Sequence, residues 1–213
     1  MSPTVDVFEV DLGTVGAAGA GLDDALPLGE REAPLASRVV RAVTRRALGA
    51  RLGLAPAAVP ITRVCERCGH PTHGRPRLAD PSGPAFSASH SGPVAMVAVA
   101  DDADPVGLDV EVIRPRTDLD GLAARVLDPD AVVVWRAGPA EDALERFLVE
   151  WAAKEAYLKA TGVGIVTDLR GVPRRPVGWS VDAIDGPSGC IVAFARRGAP
   201  VGFRRHPAGT VIS

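Results

Sequence analysis

Residues 147–164 read FLVEWAAKEAYLKATGVG, and the fold follows from how this stretch must bury itself. Leu144, Phe147, Leu148, Trp151 and Leu158 recur at helical spacing, so residues 141–160 are expected to form an amphipathic helix packed on a core. Glu155 falls on the same inward stripe. A carboxylate there needs a cationic partner or a metal, because an unpaired buried charge is very costly. Lys159 stands one turn further on and shares its face. The chain has 24 basic residues, and its only lysines, Lys154 and Lys159, both lie in this helix. A compact, mobile ammonium differs chemically from a planar guanidinium. The plainer alternative is a solvated helix with two i,i+4 pairs, Glu150–Lys154 and Glu155–Lys159.

At 213 residues the chain has room for one large domain or two of about 100 residues each. The opening MSPTVDVFEV has neither a basic n-region nor an apolar h-region, so no signal peptide is expected. No apolar run approaches the length of a membrane span. Three cysteines do not make a disulfide framework. These features predict a soluble, cytoplasmic protein. The net charge of −2 conceals patterning: residues 1–30 carry six acidic and no basic groups, while residues 31–77 carry ten arginines against Glu32 and Glu66. Such a segment suggests a phosphate or polyanion surface, with a solvated basic helix face as the alternative.

Along the chain, TVDVFEVD (residues 4–11) alternates like a half-exposed strand. Residues 13–29 read as loop, and residues 36–52 as a helix bearing Arg38, Arg41 and Arg45 on one stripe, stopped by Gly53 and Pro56. In CERCGHPTHGRPRL, the residues Cys65, Cys68, His70 and His73 offer four zinc-ligand types. The histidines follow too closely for a zinc ribbon, and a loop of reduced thiols before Gly74-Arg75-Pro76 fits better. FSASHSG (86–92) leads into the apolar strand PVAMVAVA, and its hydroxyls and imidazole suit a phosphate. VGLDVEVI (106–113) alternates so that Leu108, Val110 and Val112 share one face and Asp109 and Glu111 the other. Two neighbouring carboxylates on an apolar strand repel one another unless a cation bridges them, and Mg²⁺ takes hard oxygen ligands of this kind. Leu119–Leu127 reads as a short helix ended by Asp128-Pro129. Strands are expected at 177–184, 189–196 and 200–204. The predicted class is α+β: two similar lobes forming a pseudo-dimer, divided at 1–103 and 104–213, each a long helix on a small, mostly antiparallel sheet.

Four pieces stand in fixed order: GRP (74–76), FSASHSG (86–92), VGLDVE (106–111) and WAAKEAYLKATGVG (151–164). Together they resemble the 4′-phosphopantetheinyl transferase superfamily, in particular its monomeric, two-lobe surfactin-type branch. The resemblance implies transfer of the 4′-phosphopantetheine arm of coenzyme A to a serine of an apo acyl or peptidyl carrier protein, releasing adenosine 3′,5′-bisphosphate. It implies that Asp109, Glu111 and Glu155 hold Mg²⁺ (or Mn²⁺), that Glu155 is a base for the serine hydroxyl, and that Lys159 contacts the phosphate. Lys154 matches the family's KE pair, acting on the same phosphates or orienting Glu155. Ser89 and His90 would bind coenzyme A phosphates, Arg75 would lie beside the adenosine, and Arg38 would meet the 3′-phosphate. A role in secondary metabolism follows from the same likeness. Leu122, Val126 and Trp135 are expected to form an apolar patch for carrier docking. Two rivals use the same residues. One is a Mg²⁺-dependent phosphohydrolase or nucleotidyl transferase. The other is a zinc-stabilised nucleic-acid module, which leaves the strand carboxylates and the two lysines unexplained.

Overall fold

In the computed structural model, which describes residues 3–15, 21–63, 74–163 and 168–207, TVDVFEVD forms strand β1 (Thr4–Asp11). The arginine-rich segment forms α1 (Leu35–Leu52), which ends on Gly53. A short antiparallel pair follows, β2 (Ile61–Arg63) and β3 (Pro76–Leu78). FSASHS is β4 (Phe86–Ser91), VAMVAVA is β5 (Val94–Ala100), and VGLDVEV is β6 (Val106–Val112). Three helices come next: α2 (Leu119–Val126), α3 (Pro129–Ala137) and α4 (Ala143–Thr161). The chain closes with β7 (Trp179–Ala183), β8 (Cys190–Arg197) and β9 (Gly202–His206).

The class is α+β, as the sequence predicts. One sheet has the order β4-β5-β1-β9 and the other β6-β8-β7. All these pairings are antiparallel except β1 with β9, so the last strand of the chain completes the first sheet. The helix α1 covers one face of the first sheet, burying Val39, Val43 and Leu48 against Phe8, Val97 and Val99. The opposite face meets the second sheet, where Val5, Val7, Met96 and Ala98 pack on Leu108, Val110, Val192 and Phe194. Strand β1 is therefore covered on both faces rather than half-exposed, and its acidic residues need partners. Asp6, only 7% exposed, accepts hydrogen bonds from Arg204 Nε at 2.8 Å and from Arg51, and lies 2.8 Å from His206 Nε2.

Helix α3 is not foreseen by the sequence reading, which takes Asp128-Pro129 only as a stop. The same dipeptide is also a start. Pro129 occupies the first helical turn, where its missing N–H is no loss, and the Asp128 side chain accepts from Ala131 N–H at 2.9 Å. The docking patch expected at Leu122, Val126 and Trp135 is also corrected. Val126 and Trp135 are buried, and Leu122 packs against the same cluster between α2, α3 and α4. No described helix is long and apolar enough to cross a membrane.

What brings α4 onto the second sheet is the absence of side-chain bulk. Ala152, Ala156 and Ala160 line its contact face, and opposite them stands Gly107. A Cβ on Gly107 would lie 1.8 Å from Ala156 O and 2.6 Å from Ala160 N, so only glycine allows this approach. Gly107→Ala is expected to cost about 3 kcal/mol, the upper range of over-packing penalties, and to lower the thermal midpoint by roughly 6–12 °C.

A second expectation concerns acid. Burial would raise the Asp6 pKa, but the bond to His206 and the Arg51 and Arg204 guanidiniums outweigh it and hold it below 3.8. A depressed carboxyl stabilises the fold above its unfolded pKa and loses that contribution as pH falls through the folded value. Denaturant midpoints should therefore fall as pH drops below 3.8, and Asp6→Asn should flatten that part of the profile.

Candidate active site

The site grows from a seam between two sheet edges. Strands β4 and β6 border different sheets, and period-2 alternation puts Ser87, Ser89 and Ser91 on the side of β4 that faces β6. Ser87 Oγ accepts from Leu108 N–H at 2.9 Å, and Ser91 Oγ accepts from Val112 N–H at 3.2 Å. Hydroxyls thus satisfy strand-edge donors that no backbone ladder reaches. The same serines meet the carboxylates. Ser89 Oγ donates to Asp109 Oδ1 at 2.9 Å, and Ser91 Oγ donates to Glu111 Oε2 at 3.3 Å.

Helix α4 supplies the other wall. The i,i+4 pairs of the plainer alternative are absent from the described ion pairs: Glu150 binds Arg174 at 2.7 Å, and Lys159 reaches across to β6. Lys159 Nζ donates to Asp109 Oδ1 and to Ser89 Oγ, both at 2.7 Å. One ammonium therefore ties strand, serine edge and helix together. Asp109 is 4% exposed and Glu155 likewise 4%. Asp109 Oδ2 and Glu155 Oε1 are both buried and have no hydrogen-bond partner among the described residues. Burial pushes the Asp109 pKa up, against the pull of Lys159 and Ser89, and repulsion from Glu111 adds to the rise. Glu155 is pushed up to about 7, first by burial and then by the Asp109 charge, with Lys159 opposing and Glu111 adding. Buried carboxylate oxygens without donors are a standing demand for a cation.

Glu111 is held differently. Trp151 Nε1–H donates to its Oε1 at 3.0 Å, while Arg116 donates to Oε2 at 3.0 Å. Among the described residues no three His, Cys, Asp or Glu side chains form a ready-made metal cage. The two orphaned oxygens of Asp109 and Glu155 nonetheless fit Mg²⁺, which takes one or two carboxylates and completes its shell with water and substrate phosphate.

The remaining candidates are placed as follows. Lys154 is 3% exposed and donates to Val126 O at the end of α2 and to Leu169 O, both at 2.8 Å. Burial lowers its pKa, opposed by Asp128, Glu150 and Asp168, none of which belongs to the site. Its ammonium is thus engaged with backbone carbonyls outside the carboxylate cluster. Arg75 donates to Ala160 O and, at 3.5 Å, to Lys159 O, at the C-terminal end of α4. Arg38 pairs with Asp23 at 2.6 Å. Ser89 is buried in the seam, whereas His90, next in sequence, is exposed on the opposite face of β4. Cys65, Cys68, His70 and His73 lie outside the described residues.

Two groups escape the sequence reading. Arg116 and the indole of Trp151 hold Glu111, and no local pattern announces the first. Arg41 and Arg63 form a cationic cluster with Arg45, whose side chain is taken by Glu30 at 2.9 Å. Burial and then the neighbouring Arg41 push the Arg63 pKa below its ordinary value; Glu30 opposes this and Arg45 adds to it. The basic stripe on α1 is the signal for half of that cluster, and β2 folds the rest against it.

Comparison with known proteins agrees with this geometry. The family model described as "4'-phosphopantetheinyl transferase superfamily" matches residues 105–194, the span that contains β6 and α4. The 4'-phosphopantetheinyl transferase HetI of Nostoc sp. is 33% identical over 171 residues, covering 74% of this chain and 69% of that protein. The 4'-phosphopantetheinyl transferase AcpT of Salmonella typhimurium is 32% identical over 162 residues, covering 73% of this chain and 75% of its own length. The chain belongs to the 4′-phosphopantetheinyl transferase superfamily, and its enzyme class is that of the 4′-phosphopantetheinyl transferases.

Lys154→Met removes both of these bonds: Val126 O loses the ammonium, and Leu169 O keeps only the Val172 N–H at 3.1 Å. It is expected to lower stability by about 2 kcal/mol, measured from the denaturant midpoint, and Lys154→Arg should not restore it, because a planar fork does not fill the place of a point donor.

Proposed function

We propose that this enzyme moves the 4′-phosphopantetheine arm of coenzyme A onto a serine of an apo carrier protein, in a Mg²⁺-dependent reaction that releases adenosine 3′,5′-bisphosphate. The observation that carries the reading is the pair of donorless buried oxygens, Asp109 Oδ2 and Glu155 Oε1, beside the Lys159 ammonium. Asp109 and Glu155 would hold the ion, with Glu111 adding charge beside them. Bound Mg²⁺ supplies charge neutralisation on the pyrophosphate and a template for its orientation.

The protein's own groups account for the rest. The carrier serine oxygen forms a bond to the phosphopantetheine phosphorus, and the bond from that phosphorus to the bridging oxygen breaks. Glu155 takes the serine proton directly or through water. Lys159, already bonded to Asp109 and Ser89, turns its remaining donor capacity to the phosphate and the developing charge on the leaving group. Arg41 and Arg63, together with Arg38 and Arg75, offer positive charge for the 3′-phosphate and pyrophosphate, and the exposed His90 offers a ring N–H donor. Lys154 serves from outside, by fixing α4 against α2 and the Leu169 turn. The two helix-on-sheet layers, one under α1 and one under α4, support the two-lobe pseudo-dimer reading of the surfactin-type branch with a boundary near residue 103, across which β9 returns to complete the first sheet; a monomeric, cytoplasmic enzyme of secondary metabolism is the setting we infer.

A phosphohydrolase built on the same carboxylates is the rival. With coenzyme A, Mg²⁺ and an apo carrier, the carrier should gain the mass of one phosphopantetheine. Glu155→Gln and Asp109→Ala are each expected to lower that rate at least 10³-fold, about 4 kcal/mol of transition-state stabilisation; the thermal midpoint of Glu155→Gln should lie at or above wild type, because a buried charge is removed, whereas Asp109→Ala should lower it, because Lys159 loses its carboxylate. Hydrolysis of coenzyme A without carrier modification would overturn the reading.

A further inference from the structure

Trp151 stands where the helix spacing asks only for an apolar residue, and its ring packs on Phe147 at 6.0 Å between centroids within the α2–α3–α4 cluster. A leucine or phenylalanine would fill that role. What neither can do is donate a hydrogen bond. A half-buried indole N–H needs an acceptor, and this one is directed 3.0 Å to Oε1 of Glu111, forty residues away on β6. Glu111 is gripped from opposite sides: Trp151 holds Oε1, while Arg116 and Ser91 hold Oε2. The two grips are not equivalent. Trp151 is neutral and offers one donor. Arg116 is a cation with a forked donor set, able to take both oxygens of a carboxylate.

We propose that Trp151 is a positioning residue whose indole N–H keeps Glu111 from being captured outright by Arg116, and so holds its charge where it serves the Asp109/Glu155 cation site. The inference rests on the reading of that cluster as a Mg²⁺ site. Outer-shell donors to metal-site carboxylates commonly set metal affinity. Without the indole N–H, the Arg116 fork closes on both Glu111 oxygens, and the negative potential around Asp109 Oδ2 and Glu155 Oε1 weakens.

The test uses the full-length protein and Mg²⁺ alone, with affinity read by calorimetry. Trp151→Phe keeps the ring and removes the donor. It is expected to weaken Mg²⁺ binding about tenfold, to raise the Mg²⁺ concentration for half-maximal carrier modification by the same factor, and to leave kcat at saturating Mg²⁺ within about twofold, since no transition-state contact is lost. Adding Arg116→Gln to Trp151→Phe should recover most of the lost affinity, which a packing defect would not allow. Glu111→Gln should weaken binding as well, and the Trp151→Phe/Glu111→Gln double variant should be no weaker than Glu111→Gln alone. An independent readout needs no metal and no Trp151 variant. The chain has three tryptophans, and Glu111→Gln should shift the side-chain ¹H–¹⁵N signal of one of them in the metal-free protein. Wild-type Mg²⁺ affinity in Trp151→Phe alongside weakened Glu111→Gln, or three unshifted indole signals, overturns the role of Trp151. Wild-type affinity in Glu111→Gln overturns the use of Glu111 by the cation site itself.

Discussion

The structure turns on a charge imbalance at one seam. Asp109, Glu111 and Glu155 lie within reach of one another's fields, and among the described residues only Lys159 and Arg116 form ion pairs with them. Lys159 neutralises Asp109 through Oδ1 and leaves Oδ2 bare; Arg116 neutralises Glu111; Glu155 forms no ion pair among the described residues, and its Oε1 is without a donor there. Two buried oxygens without donors would ordinarily be selected against, because the cost of removing charge from water is not offset. Their persistence at the meeting of two sheets and a helix is what a site that completes itself with a cation and a polyanionic substrate requires. The raised pKa of Glu155 expresses the same tension as proton affinity.

Everything around the seam keeps those groups close. Gly107 and the alanines of α4 let helix backbone approach strand backbone, so Glu155 and Lys159 come down onto β6. The serine stripe of β4 replaces a missing ladder and grips the strand carboxylates. Lys154 and Trp151 act at the helix's margins, one tying α4 to the carbonyls of Val126 and Leu169, the other reaching to Glu111. Arg75 binds the far end of α4 from the other half of the chain. Positional accuracy here comes from small residues and hydrogen bonds rather than from aromatic bulk.

The long helix, the alternation of VGLDVE and the carboxylate set were legible because periodicity reports which face a residue takes. Helix α3 was not, since Asp128-Pro129 signals both an end and a beginning and only packing selects between them. The plainer alternative, salt bridges within α4, fails for a related reason. Spacing of four residues says that two side chains are neighbours, but Lys159 finds a stronger, more buried acceptor in Asp109 than its own helix offers. The patch at Val126 and Trp135 failed because apolar character does not distinguish a docking face from the core of the second half.

By itself the sequence determined most of the helices and strands, α3 excepted, and the chemical types that converge: three carboxylates, one lysine and a serine stripe. Those follow from local rules of period and side-chain chemistry. Tertiary structure alone decided which charge meets which: Lys159 with Asp109, Arg116 and Trp151 with Glu111, Lys154 with two carbonyls. These partners stand from 5 residues apart (Arg116 and Glu111) to 50 (Lys159 and Asp109), and their pairing is set by how sheets and helix pack, which depends on the balance of burial, repulsion and donor supply over the whole chain.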